Sequence, residues 1–158
     1  LSHHKPRRVW NANNYRLSEI HSAIGTKQLE LLEDFVDKRR KIARIYDDAF
    51  RNNKRIIIPS ENKNSRHSYH LYVIRVPYEE RKKIIDEMAR ENIFLGIHYP
   101  VPVHLHPSIK KMMVPPKLEL TEKISGEILS LPIYPLLEEQ DALMISEKIN
   151  RITKENFM

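Results

Sequence analysis

A single apolar stripe limits what this chain can fold into. Leu29, Leu32, Val36, Ala43, Tyr46 and Phe50 recur at alternating steps of three and four residues, with Arg39 on the same line, and Phe35, Ile42 and Ala49 widen the band. That period belongs to an α-helix, because its neighbouring turns bring positions i, i+3 and i+4 to one face. A strand would alternate every second residue. A helix this long with so broad an apolar face needs a cover, either the protein's own core or another surface, and we expect core. Asn52 and Asn53 end the pattern.

The rest of the chain supplies what such a helix could pack on. Ile56, Ile57 and Ile58 before Pro59 predict a short strand, and residues 60–66 a polar loop. Residues 69–76 are apolar on nearly every position, as in an interior strand covered on both faces. Residues 79–91 place Ile84, Ile85, Met88 and Ala89 on one helical face, and residues 93–99 predict a second long strand. A proline-rich stretch follows, with Pro100, Pro102, Pro107, Pro115 and Pro116, and proline cannot sustain a regular element. A helix over 117–129, an extended segment over 130–134 and a closing helix over 138–154 complete the pattern. In the last, Ala142, Ile145, Ile149 and Ile152 face inward. Ahead of the long stripe, Ser18 is a good N-cap for a helix carrying Ile20, Ala23 and Ile24 on its buried side, with Gly25 permitting close approach. Residues 6–14 have no clear period and read as an irregular entry. The fold class expected is α/β or α+β, a small sheet flanked by helices and preceded by a long helix.

Composition narrows the function. With 158 residues and 41% hydrophobic content the chain can bury a real core. The net charge of +6 could favour phosphate, nucleotide or nucleic acid, but the charges alternate in sign within the helices, as on a solvated surface, and nucleic acid is not the expected partner. The absence of cysteine removes disulfides and thiolate chemistry and is compatible with a reducing cytoplasm. No apolar run is long enough to span a membrane. The first residues lack the apolar stretch of a signal peptide and an initiator methionine, so a part of a longer chain is expected.

Two segments carry groups that could grip a ligand. Asn14 and Arg16 stand just ahead of the helix beginning near Ser18, where unpaired N–H groups and the helix dipole favour phosphate. Arg16 could equally pair with Glu19. About eighty residues later, His98, Tyr99 and His104 lie on a turn leaving a strand end, a natural pocket rim where imidazole and phenol meet a polar ligand. In the alternative reading the prolines only shape a loop and the histidines satisfy backbone groups. A metal site built from His98, His104 and His106, with His67 and His70 earlier in the chain, is not expected, since His98 is at a strand end and His104 and His106 lie in a proline-rich loop without a nearby carboxylate. Three glycines, with no glycine-rich phosphate loop, exclude the familiar nucleotide cradles. No Ser/His/Asp set or carboxylate pair has persuasive spacing.

These residues resemble a known family. Asn14-Tyr15-Arg16-Leu17-Ser18-Glu19-Ile20, Ala23-Ile24-Gly25, Gln28-Leu29, Arg39-Arg40 with Ile42-Ala43 and Tyr46, Tyr69-His70-Leu71-Tyr72, Gly96-Ile97-His98-Tyr99-Pro100 with Pro102 and His104, and Leu129-Ser130-Leu131-Pro132-Ile133-Tyr134-Pro135 are similar, in order, to the sugar aminotransferases of the DegT/DnrJ/EryC1/StrS group. Where that family commonly has glycine before the asparagine motif, this chain has Ala12 and Asn13. The resemblance implies a homodimeric, cytoplasmic enzyme using pyridoxal phosphate to move an amino group from glutamate to a nucleotide-linked keto-sugar. It implies further that the Schiff-base lysine belongs to a large domain upstream. This chain is then the small C-terminal domain, residues 29–158, preceded by the end of the large-domain segment and a linking helix, residues 1–28, and is inactive alone. By the same resemblance Asn14 contacts the cofactor phosphate, Arg16 supports that loop or the substrate, and His98, Tyr99 and His104 lie at the sugar. Two alternatives follow: a non-catalytic binding or assembly module retaining the fold, and a related sugar dehydratase.

Overall fold

The computed structural model describes residues 16–154, which fall into two units meeting between Leu32 and Glu33. In the first unit, helix α1 (Glu19–Glu30) starts where the sequence predicts, with Ser18 as N-cap accepting the His21 amide at 3.4 Å. Its expected buried side is corrected by the structure: no residue of α1 is buried, Ile20 is 73% exposed and Ile24 53%. Polar His21, Ser22, Thr26 and Lys27 interrupt the stripe, and a Cβ on Gly25 would meet nothing within 4 Å, so no close approach uses that glycine. The long stripe is also not one helix. The Leu31 amide turns back to the Gln28 carbonyl at 3.1 Å, and α2 (Leu32–Phe50) starts afresh with Glu33 and Asp34 in its first turn.

In the second unit, α2 buries Val36, Ile42, Ala43, Tyr46 and Phe50. Its partner is a two-stranded antiparallel sheet, β1 (Tyr72–Arg75) on β2 (Ile128–Leu131), in the register Tyr72 to Leu131, Val73 to Ser130, Ile74 to Leu129 and Arg75 to Ile128. Ile57 bridges the outer edge of β1 at Arg75, and Gly96 bridges the outer edge of β2 at Ser130. The two further strands expected at 56–58 and 93–99 therefore shrink to one paired residue each. Pro59 follows immediately after the first and has no N–H to extend a ladder. In the second, the chain leaves the sheet at His98, whose ring folds back over Gly96. The strand at 69–76 also differs from expectation: Tyr72, Ile74 and Val76 are buried while Val73 and Arg75 are only partly so, and one face rather than two is fully covered.

Among the described residues the remaining helices are α3 (Tyr78–Arg90), α4 (Pro107–Met112), α5 (Glu119–Glu127) and α6 (Glu139–Lys154), with a 3-10 turn at Val103–Leu105. Ile84 and Met88 of α3 and Ala142, Ile145, Ile149 and Ile152 of α6 join the core around Tyr46 and Tyr72. A buried polar cluster ties the end of α2 to α6: the Asn53 amide group donates to Asn150 Oδ1 (2.7 Å) and Thr153 Oγ1 (2.8 Å), and Asn150 donates to the Ala49 carbonyl (2.9 Å). That network satisfies the polar groups a buried helix end would otherwise strand. The Tyr72 hydroxyl donates to Asp47 at 2.6 Å, and burial pushes both groups up from their ordinary ionisation ranges, so Tyr72 remains a neutral donor. Among the described residues no helix is long and apolar enough to cross a membrane.

The loop between Ile58 and Tyr69 is fixed by charge. Arg40 grips both carboxylate oxygens of Glu61 (2.7 and 3.0 Å) and also donates to the His67 carbonyl (2.9 Å), while the His67 amide donates to Glu61 (2.6 Å). Arg40, then the His67 amide, lower the Glu61 carboxyl from 4.5 to about 2. A carboxyl depressed on folding contributes stability that is present above its unfolded value and lost as pH falls through its folded value. We expect wild type to be more heat-stable than Glu61→Gln at neutral pH, with the gap closing as pH falls from about 4.5 toward about 2. Thermal melts across that range check it; a gap independent of pH would contradict it.

Candidate functional site

The turn that leaves Gly96 builds one side of an open groove of about 930 Å³. Five consecutive residues, Tyr99 to Val103, form a loop wall, and Leu120, Thr121, Ile124, Ser125 and Ile128 form a facing wall from α5 and the start of β2. The prolines at 100 and 102 keep the loop wall extended, which is why no regular element claims it. The helix wall is fixed from behind. Arg75 holds Glu127 with two donors to one oxygen (3.0 and 2.6 Å), the Val76 amide donates to the Glu127 carbonyl (3.0 Å), and Arg81 on α3 donates to the Ser125 carbonyl (2.7 Å).

Each end of the loop wall carries a histidine with an assigned partner. His98 Nδ1 meets the Ser130 hydroxyl at 2.9 Å, and the Tyr99 ring stands edge-on to the His98 ring, 5.7 Å between centroids. Tyr99 itself is 74% exposed on the groove's rim, and the His98–Tyr99 peptide bond is cis. At the other end, His104 Nε2 meets Glu122 Oε1 at 3.1 Å, with the His104 side chain only 10% exposed. The pairing with His104, followed by the Leu118 amide, holds the Glu122 carboxyl below its ordinary range.

The structure thus sets the His98 ring edge-on to Tyr99, which lines the groove, while neither His98 nor His104 is itself on that lining. Arg16 is exposed, two residues ahead of the Ser18 cap in the first unit. Asn14 lies outside the described residues. Sequence reasoning gave Ser130 no part in the site and read 130–134 only as an extended segment. The available signal was its position between Leu129 and Leu131: a hydroxyl inside an apolar strand needs a hydrogen-bonding partner. Glu122 had no comparable signal, since nothing in the spacing joins it to His104.

Gly96 makes the His98 position possible. A Cβ there would meet His98 Cε1 at 2.6 Å and Nδ1 at 3.2 Å. Gly96→Ala should drive the imidazole off Ser130, costing about 1 kcal/mol for the lost hydrogen bond, and shift Tyr99 with it. Urea unfolding and a crystal structure of the variant check this; an unmoved ring would contradict it.

Among the described residues no lysine, arginine, aspartate or glutamate lines the groove. It can shelter an apolar or hydroxylated ligand and offer imidazole, phenol and hydroxyl groups, but its lining holds no amine to form an imine and no cation for a phosphate. Among the described residues no group of three or more His, Cys, Asp or Glu could hold a metal. The groove's lining therefore does not by itself fit a pyridoxal phosphate site.

A small helix-covered sheet of this kind occurs as part of larger enzymes. The chain matches DesV of S. venezuelae, solved in complex with a ketimine intermediate, with a TM-score of 0.83 and 28% identity over 97% of this chain and 41% of that one. NtdA from Bacillus subtilis, solved with bound cofactor PMP, matches with a TM-score of 0.73 and 26% identity over 91% and 36%. The fold is that of the small domain of an aminotransferase. The chain belongs to the DegT/DnrJ/EryC1/StrS aminotransferase family, whose sequence model matches residues 2–150. A curated relative from Aneurinibacillus thermoaerophilus, dTDP-3-amino-3,6-dideoxy-alpha-D-galactopyranose transaminase, is 32% identical over 95% of this chain and 40% of its own length. The chain spans about two fifths of the length of the curated relatives it matches.

Proposed function

We propose that this chain is the small, ligand-embracing part of a pyridoxal-phosphate-dependent aminotransferase acting on a nucleotide-linked keto-sugar, with glutamate as amino donor. The observation that carries the proposal is the family match over residues 2–150, in a chain whose largely apolar groove presents Tyr99, backed by the His98 ring, at its rim. In this reading the reactive lysine and the cofactor's ring partner lie in the remaining part of the enzyme. The cofactor then supplies the electron sink for amino transfer, and the chain's own residues bind and orient. Ser130 holds the His98 ring, and His98 in turn backs Tyr99 at the rim, where a phenol can hydrogen-bond a sugar hydroxyl. Arg16 and Asn14 belong in this proposal to the phosphate-bearing end of the site, reached across a homodimer. The reading also places the enzyme in the cytoplasm and expects the isolated chain to be inactive.

A chimera tests the proposal. This chain, joined in place of the matching two fifths of the Aneurinibacillus transaminase, should convert glutamate to 2-oxoglutarate with equimolar amination of a dTDP-linked keto-sugar. A folded, cofactor-loaded chimera that transfers no amino group, or that eliminates water from the sugar instead, would overturn it.

A further inference from the structure

We infer that His104 is a positioning residue: together with Glu122 it pins the far end of the groove's loop wall to helix α5 and so sets the distance between the two walls. The loop wall is five residues long, and it is tied at both flanks, by His98 to Ser130 on β2 and by His104 to Glu122 on α5. His104 is not among the groove's lining residues, and its side chain is only 10% exposed, so its imidazole is engaged in the clamp. Glu122 is held in turn. The oxygen that meets His104 also accepts the Leu118 amide at 3.0 Å, and the Glu122 amide donates to the Leu118 carbonyl at 2.9 Å. The reach-back to the N-cap residue's amide is like that of a capping box but comes from one position further into the helix, here with a histidine added.

The consequence lies in the groove. The helix wall is locked by Arg75 and Arg81, so the loop wall is the side able to move, and its far end is held by the 3-10 turn, in which the Leu105 and His106 amides donate to the Pro102 and Val103 carbonyls (2.9 and 3.1 Å). Releasing His104 frees that turn and lets Val101 and Val103 swing away from Leu120 and Ile124. The clamp itself stands on this chain's geometry alone; its effect on turnover rests on the aminotransferase reading.

Hydrogen exchange on the 158-residue chain separates the two. In His104→Ala and in Glu122→Ala the Leu105 and His106 amides should each exchange about 10-fold faster than in wild type, the double variant should be no faster than either single, and the sheet amides of Ile74 and Leu129 should be unchanged. Unchanged exchange at Leu105 and His106, or a double variant whose effect is the product of the singles, would overturn the clamp. His104→Gln, which keeps a side-chain donor, should restore most of the protection and serves if the alanine variant does not fold. In the chimeric enzyme, His104→Ala should raise KM for the nucleotide-sugar about 10-fold with kcat little changed. A fall in kcat at constant KM would make His104 a reacting group and overturn the inference. A wild-type chimera without transamination would count against the proposed function while the exchange result still decides the clamp.

Discussion

Tyr46→Ala should cost this chain about 3–5 kcal/mol, the range for removing a large aromatic ring from a packed interior. Tyr46 is fully buried at the centre of the core, stacked on Phe50 (6.2 Å between centroids, 18° between planes) and tilted against Tyr72 (5.0 Å, 45°). Its hydroxyl donates to the Pro132 carbonyl at 2.9 Å, linking α2 to the segment just past β2. Truncation therefore removes three things at once: apolar burial, ring-on-ring contact, and the partner of a carbonyl. Tyr46→Phe separates them, because it keeps the ring and leaves only Pro132 unsatisfied, at about 1 kcal/mol. Urea unfolding of both variants gives the comparison. An alanine variant no weaker than the phenylalanine variant would mean that Tyr46 is not the hub of this core.

The second large effect is expected at Arg55. Its guanidinium pairs with Glu80, whose side chain is only 6% exposed at the start of α3. Removing one member of a buried pair leaves the other charge without compensation, whereas replacing both by apolar groups of similar volume is often neutral or favourable. Arg55→Ala should accordingly destabilise by about 3 kcal/mol, and a combined Arg55→Met, Glu80→Met variant should recover most of that loss. If the double variant is weaker than Arg55→Ala alone, the pair supports the fold through contacts other than charge compensation.

Much of this architecture is visible in the sequence where periodicity is strong. The α6 face of Ala142, Ile145, Ile149 and Ile152, the α3 face of Ile84 and Met88, and the Ser18 cap all follow from spacing and side-chain chemistry. Periodicity fails where tertiary partners decide. The α1 apolar positions keep a helical spacing and yet none is buried, since spacing reports which residues share a face and not what covers that face. The strands expected at 56–58 and 93–99 have suitable residues but pair at one position only, because ladder length depends on neighbours distant in sequence. At the groove, His98 and Tyr99 could be singled out as unusual side chains leaving a strand. Their supports could not: Ser130 lies 32 residues from His98, and Glu122 lies 18 residues from His104. Family resemblance supplied the chemistry that the local residues do not, since no amine lines this groove.

The absence of an amine from the groove's lining is tested most directly by cofactor titration. The 158-residue chain is titrated with pyridoxal phosphate while absorbance is followed, then reduced with borohydride and weighed intact. The proposed function predicts no stoichiometric adduct, only scattered low-level labelling of surface lysines, because it places the imine-forming lysine in the other part of the enzyme. A single lysine labelled at one equivalent, with an absorbance change that saturates, would contradict it and make this chain a cofactor-binding protein in its own right.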